Sequence, residues 1–176
     1  SIAGIFVVGS AIPQIITAFL GRNIKNLKLS VIASHGLLLP PIFIAGFVFI
    51  YADLHEQSAW IFYFICFVFF TLGLGVAFPM WADFLDTAHV SEKRGQFFGV
   101  SFLFNCLAGL VGGFAVKSLF SSSVEFPVNF GYGFILYALC IASATILFSV
   151  YQTSTNVRYS NTKTFSAYLR ELKQIM

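Results

Sequence analysis

A few side chains able to do chemistry are embedded in long apolar runs of this 176-residue chain. Asn105 and Gln14 carry carboxamides, which need hydrogen-bond partners away from water. Such a group either bridges two helices or binds a solute. Ser101, Thr71, Ser10 and Thr17 add hydroxyls, which can also satisfy themselves on the preceding helical turn. His35 lies in another apolar run. It could carry a proton, because its charge changes near neutral pH, or pack as a satisfied ring. No Asp or Glu occupies the centre of any apolar run, and His35, His55 and His89 are scattered. No nucleophile stands at workable spacing from a base, so the pattern suits reversible binding and speaks against an enzyme. Cys66, Cys106 and Cys140 fall one per run, without disulfide or metal spacing. They read as small buried hydrophobes, and no metal or cofactor is expected.

The elements that must hold these residues are membrane helices. Hydrophobic residues make up 58% of the chain and charged residues 10%, against roughly 25% charged in a soluble domain. Lipid can accept that much apolar surface. The 23 phenylalanines suit lipid-facing positions or an aromatic-lined path. A helix needs roughly 20 apolar residues to cross the bilayer core. Five stretches qualify, at about 2–20, 29–52, 59–84, 96–120 and 130–152. The expected fold is all-α, a polytopic transmembrane helix bundle. A polar tail follows at 153–176, a cytoplasmic linker in which Phe165, Tyr168, Leu169, Leu172 and Met176 share one face of an amphipathic helix at about 164–176.

Charge orients the bundle. Arg22, Lys25 and Lys28 fall in one connection, Lys93 and Arg94 in another, and Arg158, Lys163, Arg170 and Lys173 in the tail. The alternate connections hold no basic residue, and Lys117 lies near the end of a span. Cytoplasmic loops carry the Lys and Arg excess, so residue 1 is expected outside and the tail in the cytoplasm. The net charge of +3 then reflects membrane edges and their anionic headgroups, and no nucleic-acid partner is implied. Five spans beginning outside imply a further span upstream.

Pro13, Pro40, Pro41 and Pro79 fall inside the spans and would each remove a helical hydrogen bond. Gly73, Gly75, Gly109, Gly112 and Gly113 allow close helix approach, and Gly109-x-x-x-Gly113 forms a small-residue face.

The order of these features resembles the N-terminal half of a major facilitator superfamily transporter, helices 2 to 6. The stretch Thr17–Lys25 is similar to the superfamily's G-x-L-x-D-R-x-G-R loop, with Arg22 and Lys25 at its basic positions and Gly21 in place of its Asp. Pro79-Met80-Trp81, followed by Arg94-Gly95 and Gly99, resembles the connection between helices 4 and 5, and Phe126-Pro127 resembles the entry to helix 6. Gly112-Gly113 resembles part of the antiporter run of helix 5. The resemblance implies a secondary transporter moving a small solute by alternating access. Asn105, Gln14, Ser101 and Thr71 become candidates to line its cavity, and Arg22, Lys25, Asp83 and Arg94 candidates for a cytoplasmic gate, with Asp86 beside them. The implied partners are the lipid bilayer, a small-molecule substrate, a first helix and a C-terminal half of the same protein. The implied location is the bacterial inner (plasma) membrane. The apolar spans favour an amphiphilic or apolar substrate over a highly charged one. A sensor, a channel or an intramembrane enzyme on a similar bundle is the alternative.

The charge pattern makes a direct prediction about sidedness. In a chain whose three cysteines are replaced by serine, His55→Cys should react with an impermeant maleimide added to intact cells. Lys93→Cys should react only after lysis, and the reverse result would invert the topology.

Overall fold

The computed structural model describes residues 2–21, 24, 26–88 and 93–151. Among them are six helices and no strand: α1 (Ile2–Gly21), α2 (Leu27–Gly36), α3 (Leu39–Tyr51), α4 (Glu56–Ala88), α5 (Arg94–Phe120) and α6 (Val128–Val150). Five stretches, Ala3–Gly21, Leu27–Tyr51, Glu56–Asp86, Arg94–Phe120 and Val128–Val150, are long and apolar enough to cross a bilayer. The chain thus has the helices of a membrane bundle. The expected linker and its amphipathic helix at 164–176 lie outside the described residues.

The second stretch is two helices, and its prolines explain why. Pro40 and Pro41 have no amide to offer the carbonyls of Gly36 and Leu37 four residues back, so the ladder of α2 stops there. The same residues suit the first turn of α3, where a missing amide is not felt. Leu37 and Leu38 between them keep right-handed helical angles (φ −66°, ψ −20° and φ −77°, ψ −25°). The span is therefore interrupted in its hydrogen bonding without being turned aside. Pro13 and Pro79, by contrast, lie inside the unbroken helices α1 and α4. At its other end α2 is capped by Asn26, whose side-chain oxygen accepts the Leu29 amide at 3.0 Å.

α4 is the backbone of the bundle. Its 33 residues reach ~50 Å at about 1.5 Å each, well past a hydrocarbon core of about 30 Å. It packs against α1 on one side and against α2 and α3 on the other, and α6 closes over α2 and α3. α5 packs chiefly on α6, and none of its residues is buried.

Lipid tails are as apolar as Phe or Leu, so burial from water does not hold such helices together; close packing does. Glycines make the approaches. A Cβ on Gly131 would lie 2.9 Å from the Gly46 carbonyl oxygen and 3.1 Å from the Ile50 amide nitrogen, so α3 and α6 touch backbone to backbone. A Cβ on Gly75 would strike the Ser10 carbonyl and lie 2.8 Å from Pro13 Cβ, and one on Gly9 would lie 2.5 Å from Thr71 Oγ1. These contacts set the α1–α4 spacing. Aromatic rings fill the two ends. Phe49 meets Phe62, Phe126 and Phe134 at centroid distances of 6.1, 6.3 and 5.8 Å. At the other end Phe84 meets Phe148 and Tyr151, each at 5.6 Å.

Gly109, Gly112 and Gly113 do not take part. A Cβ on any of them would meet nothing within 4 Å. The packing role expected of this stripe is filled, among the described residues, by Gly9, Gly46, Gly73, Gly75 and Gly131.

Gly131→Ala should therefore lower stability by about 1–3 kcal/mol, because backbone atoms cannot step aside as a side chain can. Gly112→Ala should gain up to about 1 kcal/mol from helix propensity. Unfolding in mixed detergent measures both, and equal responses would contradict the packing described.

Candidate functional site

Two grooves hold the chemistry. The first runs between α1, the α2–α3 interruption and α4. It consists of two hollows of about 600 and 590 Å³ that share Pro13, Leu37 and Val76 in their walls. Its floor is set by Gly73 of α4, where a Cβ would lie 2.9 Å from Leu38 Cδ2 and 3.6 Å from the Leu37 carbonyl oxygen. Absence of a side chain there lets α4 approach the interrupted turn. The walls are apolar apart from Thr17, Ser30 and Ser34 in the second hollow. Ser34 donates to the Val31 carbonyl at 3.0 Å and Ser30 to the Asn26 carbonyl at 3.0 Å, so these two hydroxyls are engaged on their own helix.

The second groove, about 530 Å³, lies where the end of α4, the start of α5 and the end of α6 meet. Ser101 and Asn105, four residues apart on one face of α5, line it together with Trp81, Phe84 and Tyr151. Asn105 is exposed, so its carboxamide is available to a solute in the groove.

The structure thus brings together two of the four cavity candidates. Thr71 is fully buried at the α1–α4 contact and donates to the Val68 carbonyl at 2.8 Å. It spaces helices and cannot face a solute. Gln14 is half-buried on α1 and lines neither groove. His35 is half-buried, with Nδ1 2.9 Å from the Val31 carbonyl and its ring 4.9 Å from that of Phe148. It is satisfied locally. Ser10 likewise donates to the Phe6 carbonyl at 2.7 Å.

Among the gate candidates, Arg22 and Lys25 lie outside the described residues. Arg94 Nη1 pairs with Asp86 Oδ1 at 2.8 Å, and its Nη2 donates to the Asp86 carbonyl at 2.7 Å. The carboxylate that meets Arg94 is thus that of Asp86. Asp83 sits one turn back, with Oδ2 3.9 Å from where a Cβ on Gly21 would be. It therefore borders the end of α1. Arg94 Nε is buried without a hydrogen-bond partner among the described residues. No group of three His, Cys, Asp or Glu among them could hold a metal ion.

One regularity in the sequence marks the first groove. A glycine precedes a proline by four residues in three successive spans, as Gly9–Pro13, Gly36–Pro40 and Gly75–Pro79. The residue four before a proline is the one whose carbonyl the ring crowds, and a glycine leaves that carbonyl room to tilt. Pro13 and Pro40 line the groove, while Gly75 packs on Pro13 beside it. No family model, curated protein or solved structure matches the chain.

The Arg94–Asp86 pair is a weak clasp. Its side chains are 38% and 47% exposed, and exposed pairs contribute about 0.2–1 kcal/mol. A double-mutant cycle with Arg94→Ala and Asp86→Ala should give a coupling in that range that shrinks at high salt. A salt-independent coupling of several kcal/mol would show the pair to be sealed from water.

Proposed function

We propose that this chain is part of a secondary transporter that moves a small solute by alternating access, built on the N-terminal half of a major facilitator bundle. In this reading residue 1 faces outward, the tail is cytoplasmic, and the membrane is the bacterial inner membrane. The observation that carries the proposal is the proline-interrupted span α2–α3, which packs on Gly73 of α4 beside an apolar groove at mid-span. Discontinuous helices that border a cavity near the bilayer midplane are where transporters place their binding sites. The alternation of basic connections and the resemblance of the 79–99 stretch support the same reading.

The two grooves then divide the work. The interrupted span offers main-chain carbonyls and an apolar wall at mid-depth. The groove with Ser101 and Asn105 lies by the charged end of α4, where the Arg94–Asp86 clasp joins α4 to α5. A weak clasp suits a gate, because a contact that forms and breaks in each cycle must not be deep in energy.

The test is flux. The full-length protein in liposomes should move labelled amphiphilic solutes down an imposed gradient faster than empty liposomes do. Loss of one solute-facing hydrogen bond costs about 1 kcal/mol, so Asn105→Ala should slow uptake roughly fivefold at low solute. Thr71→Val, which removes only a hydroxyl engaged on its own helix, should leave uptake nearly unchanged. Flux no greater than that of empty liposomes across the panel would sink the proposal.

A further inference from the structure

We propose that the groove beside the α2–α3 interruption binds a protonated hydrophobic amine, whose N–H group meets the Leu37 carbonyl while its body lies along the apolar wall. The proposal names the ligand class for the site of the suggested transporter and rests on that reading only for the ligand's onward passage.

Four features lead there. Gly36 and Leu37 lack the helical amides that would engage their carbonyls, because Pro40 and Pro41 stand four residues on. In a membrane interior an acceptor without a donor costs several kcal/mol, so a ligand that brings donors is favoured. α2 ends at Gly36 and α3 begins at Leu39, so the opposite partial charges of the two helix ends offset each other, and the Leu37 carbonyl dipole itself is what would meet a cation. The surroundings are apolar and aromatic, with Phe62 and Phe69 in the wall, so they suit a hydrocarbon body and can attract a cation to their ring faces. Finally, Leu37 is 56% exposed and lines both hollows of the groove.

The wall holds no Asp or Glu. The charge of the ligand would therefore be met by main-chain dipoles, which suits a single ammonium. A bare metal cation needs a fuller shell of oxygen ligands. Depth selects among ammonium sources. Pro13, Pro40 and Gly73 fall near the middle of their membrane-crossing stretches, so a free amphiphile reaches the site more readily than a lipid headgroup held at the surface.

The sequence supplies its own probe. Leu–Leu pairs occur only at Leu37–Leu38 and Leu38–Leu39, so ¹³C-carbonyl, ¹⁵N-leucine labelling of the full chain yields two carbonyl–amide correlations. In phosphatidylcholine nanodiscs, whose headgroup has no N–H, dodecylamine at neutral pH should move the Leu37 carbonyl signal downfield and leave that of Leu38 in place. Dodecyltrimethylammonium, which has the charge without the donors, should not. If phosphatidylethanolamine in the disc competes with the amine, the natural ammonium is a lipid headgroup; if it does not, the ligand is a free amine. Pro40→Ala with Pro41→Ala returns both amides and should weaken amine binding about tenfold, the scale of a charge-assisted hydrogen bond. Pro79→Ala, whose restored amide serves Gly75, should not weaken it. Equal shifts with the amine and the quaternary salt, an equal shift with sodium chloride alone, or no shift at all would overturn the proposal. Binding without flux would leave it standing and sink the transport reading. Flux without the Leu37 shift would do the opposite.

Discussion

In a bilayer every main-chain donor and acceptor has to find its partner inside the protein, and this bundle is organised around the places where prolines make that impossible. Among the described residues, three of the five stretches long and apolar enough to cross a bilayer contain proline. In two of them the helix runs through the proline, and in the third the hydrogen-bond ladder stops and restarts at Leu37 and Leu38. The lost hydrogen bonds are not spread through the molecule. They gather along the middle of α4, where Gly73 on one side and Gly75 on the other leave space for the altered turns of α2–α3 and α1. The largest described groove opens at the same place. Constraint and cavity have one origin: a turn that cannot pack as a regular cylinder leaves room beside it.

The packing elsewhere follows from the same solvent. Water does not drive these helices together, so the tightest contacts are those in which backbone meets backbone, as at Gly46 and Gly131. Large side chains such as Phe102, 71% exposed, and Phe114, 70% exposed, face outward. In water they would be a liability, and in hydrocarbon they are neutral. The aromatic clusters around Phe49 and Phe84 fill the two ends of the bundle.

Much of this was legible before any coordinates. The five long apolar helices follow from runs of apolar residues whose length suits bilayer thickness. Pro40-Pro41 announced trouble in the second crossing, although one bent helix was expected where two stand. Contacts between distant segments were not legible. Gly109, Gly112 and Gly113 have the spacing of a packing stripe but face open space, whereas Gly46 and Gly131 stand alone in sequence and pack on each other. Spacing can say that a glycine permits contact, and only the arrangement of neighbours says whether contact occurs. Thr71 shows the same limit: its position in the chain suited a cavity, yet its hydroxyl is turned against α1. The glycine four residues before each of three prolines stands in the sequence but was not legible there as a mark, and it gains meaning only from the groove that Pro13 and Pro40 line.

α5 is fastened to the bundle near its two ends. Its first residue is tied to α4 through the Arg94–Asp86 pair, and its last, Phe120, lies 4.7 Å ring to ring from Phe130 of α6. Between these ends none of its residues is buried. A rod pinned at both ends and unsupported along its length is softest at its middle. Sideways load on the bundle will therefore bow α5 around Gly109–Gly113 before it strains the glycine-locked contacts of α1, α3, α4 and α6.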